Sequence, residues 1–188
     1  MGSNLDACLV DRQDPAIRQA VWEILVEIDH EFVPPLSQRH GTTEARFSQA
    51  GSPVECEGPV EYYQQIIEQN IVLVHKDALW IGLLSFRQGY LLESIWDLGP
   101  CNYVTTIGVR PGSRGLGVAR VMYNFVLSDL PAPYTCPIWA TRTWSSNHHH
   151  ISLLQDLGFK LAATIKDHRA PGVDTLYYVR DSAALTST

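Results

Sequence analysis

The sequence has no apolar run long enough to cross a membrane. A transmembrane helix needs about 20 consecutive apolar residues, whereas the hydrophobic 45% of this 188-residue chain is divided into shorter segments. The opening residues, MGSNLD, also lack the basic and apolar regions of a secretion signal. We therefore expect a cytoplasmic protein with no membrane partner.

Cysteine is scarce as well, and its spacing argues against two kinds of site. Cys8, Cys56, Cys101 and Cys136 lie far apart with no C-x-x-C pair, so the sequence indicates neither a zinc site nor a disulfide framework. The three histidines at positions 148–150 do not supply a metal site, because neighbouring residues of a helix point about 100° apart. We predict free, mostly buried thiols and no bound metal.

A stripe of basic residues, typical of nucleic-acid-binding proteins, is missing too. The net charge is −6 and unevenly spread: residues 1–100 carry 15 Asp and Glu against 6 Lys and Arg, whereas residues 101–188 carry 5 against 8. This asymmetry is consistent with an anionic cofactor bound by the second half and a cationic, amine-bearing substrate met by the first. A solvated acidic surface explains the excess of acids equally well.

The sequence does contain short strands and amphipathic helices in a chain of domain size. Their predicted order is β-α-α-β-β-β-α-β-α-β-β, without an internal repeat. The predicted strands are residues 7–10, 71–75, 78–86, 103–109, 137–143, 160–165 and 175–179, and the predicted helices are residues 15–28, 59–70, 117–130 and 147–157. We expect one domain over residues 1–188, with a disordered tail at about 182–188.

The stretch at residues 102–119, NYVTTIGVRPGSRGLGVA, organises the rest of the chain. It reads as a buried strand, a Pro-Gly break and a glycine-rich turn that opens a helix. The first N–H groups of a helix and its dipole favour an anion, and Gly115 and Gly117 would let a bulky anion approach the backbone closely. Arg114 and Arg120 add positive charge. The pattern predicts an anion site, although an ordinary tight strand-to-helix connection has the same appearance.

A second motif lies at residues 147–159 and reads NHHHISLLQDLGF. Ser145, Ser146 or Asn147 can cap a helix here, and Gly158 suits the left-handed position that follows a helix end. The helix has an apolar side, formed by Ile151, Leu153, Leu154 and Leu157. The motif predicts a short amphipathic helix after the strand at residues 137–143.

Together the two motifs resemble the signature of the GCN5-related N-acetyltransferase (GNAT) family. In that family a hydrophobic strand ending in V-x-P is followed by R-G-x-G-x-A, as at residues 109–119, and the pattern R-x-x-G-x-G/A is matched by Arg114, Gly117 and Ala119. A later helix starts with Asn and ends in Leu-Gly-Phe, as here. A dinucleotide fingerprint fits less well, because Arg120 replaces its third Gly. The resemblance covers nearly the whole chain and implies an α/β acyl-CoA N-acyltransferase fold, a mixed, mostly antiparallel sheet flanked by helices.

The resemblance also implies acetyl-CoA as the co-substrate. The strand end would offer backbone groups to the pantetheine arm and the acetyl carbonyl, the turn would hold the diphosphate, and Asn147 would contact the pantetheine arm from the other side. The implied cofactor-binding residues are Ile107, Gly108, Val109, Arg114, Gly115, Leu116, Gly117, Val118, Ala119 and Asn147.

The group that gives a proton to the departing thiolate is harder to assign. Many members of the family place a Tyr four residues before the Gly of the Leu-Gly-Phe ending, and this chain has Leu154 there. His150 lies one turn earlier on the same face, and histidine transfers protons near neutral pH. We therefore predict His150 as the catalytic residue.

The carboxylates that would act on the acceptor amine have no motif of their own. Thr105 and Thr106 occupy the strand where some family members carry a Glu base. Our hypothesis for the base is Glu31, Glu93 or Asp97 acting through a water. The segment after the first helix offers further candidates for meeting the amine, although exposed loop carboxylates explain them as well; these are Asp29, Glu31, Glu55 and Glu57.

The sequence thus predicts an N-acetyltransferase that moves the acetyl group of acetyl-CoA to an amine of a small molecule or peptide by direct attack in a ternary complex. The alternative is a non-catalytic acyl-CoA-binding sensor or interaction module, which the Leu154 substitution favours. Residues 90–96 are apolar for a loop, so they either fold over the neighbouring strand or form a homodimer interface.

Overall fold

The structure, a computed structural model, describes residues 5–43, 58–95 and 97–182. Several predictions lie outside these described residues. They are the substrate contacts Glu55 and Glu57, the thiol of Cys56 and the tail from residue 183 onward.

The described chain has an α/β architecture with seven strands in one mostly antiparallel sheet and four α-helices. The strands are β1 (Asp6–Leu9), β2 (Asn70–Lys76), β3 (Leu79–Leu91), β4 (Pro100–Val109), β5 (Ile138–Trp144), β6 (Lys160–Ala170) and β7 (Val173–Asp181). The helices are α1 (Pro15–Ile28), α2 (Val60–Ile66), α3 (Val118–Asn124) and α4 (His148–Asp156). The strand order is β1-β2-β3-β4-β5-β7-β6. The predicted fold class and order of elements are confirmed.

The chain forms two compact units, which we describe separately. The first comprises the described residues of Met1–Phe86 and Thr106–Thr135, and the second those of Arg87–Thr105 and Cys136–Thr188. None of the helices in the described part of the chain is long and apolar enough to span a membrane.

The core of the first unit is built on helix α1. This helix begins at residue 15, as predicted: the Asp14 carboxylate caps it by accepting the Ala16 N–H at 2.8 Å, and Pro15 takes the first helical position. Apolar residues at spacings of three and four put one helix face in the core; they are Ile17, Ala20, Val21, Ile24, Leu25 and Ile28. This face packs with residues of α2, β2 and β3. Strands β1, β2 and β3 pair antiparallel in sequence.

The second unit contains a parallel pair of strands and a long hairpin. Strand β4 runs parallel to β5, with Asn102 opposite Trp139, and β7 pairs antiparallel with both β5 and β6. The tyrosine rings of Tyr90 and Tyr103 stack with centroids 5.2 Å apart. The buried residues of this core are Leu92, Cys101, Tyr103, Ala140 and Tyr177.

The segment predicted to link β3 to β4 is partly strand, so its prediction as a loop is wrong. Strand β3 continues past Phe86 to Leu91, and a 3₁₀ turn follows at Glu93–Ile95. Leu92 is buried, whereas Leu91 is 65% exposed. Some apolar residues of this segment, such as Leu92, therefore belong to the core of the second unit, although the sequence pattern of the segment does not show which ones. The predicted homodimer stays a prediction.

The predicted end of one strand at residue 165 and start of the next at residue 175 are also wrong, because β6 and β7 extend through the intervening segment, expected as a loop at residues 167–174, to a tight turn. The pairing register of β6 with β7 shifts between Ile165 and Ala170, and side-chain hydrogen bonds connect the two strands there. The Asp174 carboxylate accepts the Asp167 N–H at 3.0 Å and a hydrogen bond from the Lys166 ammonium at 2.7 Å. Asp167 in turn accepts the Gly172 N–H at 2.6 Å. These polar residues resemble a loop in sequence but brace a hairpin.

Two helices are shorter than their periodicity predicts. Helix α2 ends at Ile66, and Asn70, predicted as its last residue, begins β2. Helix α3 ends at Asn124 and continues as a π-helical turn, Phe125–Asp129. Apolar spacing does not distinguish an α-turn from a π-turn, so the sequence could not give this boundary.

Candidate functional site

The glycine-rich turn of the first unit connects β4 to α3, as predicted. Gly115 and Gly117 have φ angles of +76° and +81°, a left-handed conformation that favours glycine, and Gly117 is the N-terminal cap of α3. A methyl group on either residue would meet no other atom within 4 Å. The backbone of the turn is therefore open on the side where these glycines lack side chains.

Two other glycines hold the flanks of this turn close to their neighbours. A methyl group at Gly82 of β3 would lie 2.6 Å from the Cγ1 atom of Val118, which is the first residue of α3. A methyl group at Gly108 of β4 would overlap the Cδ1 atom of Ile28, at the end of α1. A Cβ at either glycine would force the facing side chain to shift, so β3 and α3, and likewise β4 and α1, approach each other closely here.

Arg110 fixes the start of the turn. Its backbone N–H donates to the Ile81 carbonyl at 2.9 Å, and its Nε donates to the Trp80 carbonyl at 2.8 Å. Its guanidinium also pairs with Glu27 and, at 3.1 Å, with Glu23 of α1. Hydrogen bonds from Gln19 and then from Arg110 lower the pKa of Glu23. The Arg110 side chain is only 12% exposed, so it serves as an anchor of the turn.

Arg114, predicted to supply positive charge to an anion, has a carboxylate partner in the structure. Its Nη2 pairs with Glu31 Oε2 and lies 3.5 Å from the Val109 carbonyl. Both side chains are partly exposed, Arg114 to 48% and Glu31 to 40%. Two residues predicted for different roles, one for the cofactor and one for the acceptor, are thus paired with each other.

A buried hydrogen bond joins β4, the strand before the turn, to helix α2. The Tyr62 hydroxyl lies 2.8 Å from Thr106 Oγ1, and both residues are almost fully buried. The next residues of β4, Ile107, Gly108 and Val109, are half-buried. Thr106 is therefore held by α2 rather than presented to solvent.

The second predicted motif lies in the second unit. Asn147 caps α4, and its Oδ1 accepts the His150 N–H at 3.4 Å. The Nδ1 atom of His150 lies 3.2 Å from Thr143 Oγ1 on β5. Burial lowers the pKa of His150 to about 4, so its ring is neutral near pH 7. Leu154 is fully buried, and Gly158 takes the predicted left-handed conformation with φ of +81°.

Solved structures of other proteins share this architecture over nearly the whole chain. An acetyltransferase of the GNAT family from Bacillus cereus ATCC 10987 superposes with a TM-score of 0.63 at 14% identity, covering 95% of this chain and 97% of that one. YncA from Salmonella typhimurium, solved with its cofactor acetyl-CoA, gives 0.62 at 13% identity, covering 95% and 94%. Ribosomal-protein-alanine N-acetyltransferase from Brucella melitensis gives 0.63 at 12% identity, covering 94% and 99%.

The chain has the GNAT fold. The sequence identities are too low for the superpositions to show more than the fold. No protein-family model and no curated protein sequence matches this chain at a significant level.

On the GNAT fold, the predicted cofactor residues divide between the two units. The first unit holds the strand end at Ile107, Gly108 and Val109, followed by the turn and start of α3 at Arg114, Gly115, Leu116, Gly117, Val118 and Ala119. The second unit holds Asn147 and the predicted catalytic residue His150. Leu116 is 46% exposed, whereas Val118 is buried. The side chain of Leu116 is thus open to solvent, and that of Val118 packs inward.

The acids predicted to meet an amine have different surroundings on the GNAT fold. Asp29 is buried, and its Oδ1 accepts the Ser37 N–H at 2.7 Å, so this carboxylate caps the short 3₁₀ turn Leu36–Gln38. Glu93 and Asp97 are exposed in the second unit. Of the described candidates, Glu31 is the one that contacts the glycine-rich turn.

The sequence did not predict the anchor formed by Arg110 with Glu23 and Glu27. The sequence does carry one partial signal: Glu23 and Glu27 are four residues apart, which places both carboxylates on one side of α1 without indicating their arginine partner. The Tyr62–Thr106 hydrogen bond has no such signal, because 44 residues separate its partners.

The described residues include three of the four cysteines and all three histidines at positions 148–150. Cys8, Cys101 and Cys136 are free thiols, as predicted. Cys101 is buried, which raises its pKa to about 11. The prediction of mostly buried thiols is wrong for the described cysteines, because Cys8 and Cys136 are only half-buried. Within residues 5–43, 58–95 and 97–182, no group of three or more His, Cys, Asp and Glu side chains gathers as metal ligands would. His148 and His149 are exposed on α4.

Proposed function

We propose that this protein is an N-acetyltransferase that transfers the acetyl group of acetyl-CoA to an amine of a small molecule or peptide. The observation that carries the proposal is the glycine-rich turn, whose open backbone precedes α3 on a GNAT fold. The likeness to YncA with its cofactor acetyl-CoA, and to an N-acetyltransferase of ribosomal protein, supports this class of donor and acceptor.

The residues of the turn fit the diphosphate of acetyl-CoA. Gly115 and Gly117 leave room for a bulky anion against the backbone, and the first N–H groups of α3 have no partner within the helix. Arg114 is half-exposed, directly precedes these glycines in the chain and carries a formal positive charge. We propose that residues 114–119 bind the diphosphate and that Ile107, Gly108 and Val109 offer backbone groups to the pantetheine arm and the acetyl carbonyl.

We propose that Asn147 contacts the pantetheine arm through its side-chain NH₂ group, since its Oδ1 accepts the His150 N–H. Bound acetyl-CoA supplies the thioester whose acetyl group passes to the amine, with CoA as the thiol product. The contribution of the chain is then mainly to hold the two reactants in position, which replaces a bimolecular encounter.

His150 remains the catalytic candidate, and its lowered pKa narrows the role we propose for it. A ring with a pKa of about 4 is neutral near pH 7, so it holds no imidazolium proton to give to a thiolate. It can accept a proton or a hydrogen bond instead. Its partner at Nδ1, Thr143, is fully buried and would fix the orientation of the ring.

One observation favours the alternative of a non-catalytic acyl-CoA-binding sensor. Leu154 stands where many family members carry a Tyr proton donor, and it is fully buried. A neutral His150 does not replace that donor. The sensor would keep the cofactor turn and lack a group for the last proton transfer.

A measurement of CoA release separates the two functions. Purified protein is incubated with acetyl-CoA and, separately, a polyamine, an amino sugar, an amino acid and a peptide with a free N-terminus, and free thiol is followed with a thiol reagent. Release that depends on one class of amine supports the transferase and identifies its acceptor class. Tight acetyl-CoA binding without release for any of these amines would contradict the proposed transfer to small-molecule and peptide amines and support the sensor.

A further inference from the structure

We propose that Glu31 competes with the diphosphate of acetyl-CoA for Arg114, so that cofactor binding requires this arginine to exchange partners. The inference rests on the proposed function. It makes Glu31 a residue that sets cofactor affinity from outside the turn, in addition to any role toward the acceptor amine.

The ion pair between Arg114 and Glu31 can separate at low free-energy cost. Arg114 and Glu31 contact each other through one guanidinium nitrogen, and their side chains are 48% and 40% exposed. Exposed ion pairs of this kind shift an equilibrium by roughly one- to fivefold, because water solvates both charges when they separate. A diphosphate with several charged oxygens and the helix amides beside it is a stronger partner for the same guanidinium.

The neighbouring arginine shows what a fixed guanidinium looks like in this protein. Arg110 is 12% exposed, pairs with both Glu23 and Glu27, and donates to the Trp80 carbonyl. Of these two arginines, Arg110 is therefore held as an anchor, whereas Arg114 has the exposure needed to change partners. Glu23 and Glu27 pair with Arg110, and Glu31, four residues further along the chain, pairs with Arg114.

The location of Glu31 explains why it would compete rather than assist. It lies in the 3₁₀ turn Asp29–Glu31 that follows α1, and its carboxylate reaches the arginine that leads into Gly115 and Gly117. A carboxylate beside bound diphosphate adds like-charge repulsion. We therefore expect Glu31 to leave Arg114 when the diphosphate binds, so that removing the Glu31 carboxylate favours the cofactor by freeing this guanidinium.

The test measures acetyl-CoA affinity by calorimetry for the wild-type chain and the variant Glu31→Gln, which keeps the shape of the side chain and removes its charge. We expect Glu31→Gln to bind acetyl-CoA about two- to fivefold more tightly, within the range of an exposed ion pair. The matched control is Glu61→Gln, which removes one negative charge from the same unit at a residue paired with His40. It should bind with wild-type affinity.

Two further measurements identify the partner for which Glu31 competes. S-acetylpantetheine lacks the diphosphate, so Glu31→Gln should not change its affinity. In an Arg114→Gln background, which lowers the affinity for acetyl-CoA, adding Glu31→Gln should give no further gain. A gain that persists without Arg114 would overturn competition for this arginine and point to direct repulsion.

The outcomes separate this inference from the proposed function. A wild-type chain that binds no acetyl-CoA would overturn both. A wild-type chain that binds, with Glu31→Gln equal or weaker in affinity, would overturn the inference alone, because Glu31 would then be neutral or would hold Arg114 in its binding position.

Discussion

Gly108 of β4 lies so close to Ile28 of α1 that a single methyl group on the glycine would overlap the Cδ1 atom of the isoleucine. Ile28 is 1% exposed, so moving its Cδ1 atom aside would require its core neighbours to adjust. The contact joins the last turn of the first helix to the strand that we propose to face the acetyl group.

We predict that Gly108→Ala destabilises the protein by about 1–3 kcal/mol, the usual cost of overpacking a core. Ile28→Val removes Cδ1 and should cost about 0.5–1.5 kcal/mol alone. The double variant should lose less than the sum of the two, because the atom that the new methyl would strike is gone. Denaturant unfolding measures all three variants.

The control for that series is Gly112→Ala, since a methyl group at Gly112 meets no atom within 4 Å. Its unfolding free energy should stay within about 0.5 kcal/mol of wild type. Full additivity of Gly108→Ala and Ile28→Val would show that the close contact does not exist in solution.

Arg110 gives a second prediction about stability. Replacing it by Gln removes the ion pairs with Glu23 and Glu27 and the bond to the Trp80 carbonyl. We expect a loss of about 1–3 kcal/mol in unfolding free energy, because hydrogen bonds of a charged, mostly buried group exceed those of exposed pairs. Arg114→Gln, at an exposed pair, should lose no more than about 1 kcal/mol. Equal losses for the two variants would contradict the distinction between anchor and exchangeable arginine.

His150 gives a prediction about pH. Its pKa in the folded protein is lowered to about 4 by burial, against an ordinary value near 6.5. The unfolded chain therefore binds a proton at this residue between about pH 6.5 and 4 that the folded chain does not bind, so its contribution to stability falls as the pH drops through that range and is unchanged above it. His150→Gln should remove this part of the acid destabilisation.

Nuclear magnetic resonance titration of the histidine ring protons checks the cause directly. One ring should titrate near pH 4 in the wild-type protein, and that signal should be absent from His150→Gln. A His150 ring that titrates near 6.5 would show that it is solvated, and it would restore this residue as a proton donor at neutral pH.

The sequence predicted the elements whose signals are local. Asp14 and Asn147 cap their helices, and Gly158 follows the second of these in a left-handed conformation. Each of these features depends on residues within about one helical turn, so it can be predicted from a short stretch of sequence. The glycine-rich turn before α3 belongs to the same class, which is why the GNAT fold could be predicted.

The missed features depend on partners far apart in the chain. Arg110 and Arg114 each pair with a glutamate 83 residues earlier, and no periodicity connects them. The extension of β6 and β7 uses side-chain bonds that are closer in sequence, such as Asp167 with Gly172, whereas the extension of β3 to Leu91 depends on packing across strands. Long-range pairs of this kind decide the site more than the fold.

The measurement that tests the central claim most directly is calorimetric titration of acetyl-CoA into the wild-type chain, Gly117→Glu and Gly172→Glu. Both glycines have a left-handed φ, +81° and +77°, and neither has an atom within 4 Å of the position a methyl group would take. Gly172 lies in the β6–β7 turn and is not among the residues proposed to bind the cofactor, and its substitution matches the backbone strain at Gly117. We predict one-to-one binding by the wild type and by Gly172→Glu and none by Gly117→Glu, whose carboxylate would meet the diphosphate. Binding by Gly117→Glu with wild-type affinity would contradict the assignment of this turn to the cofactor.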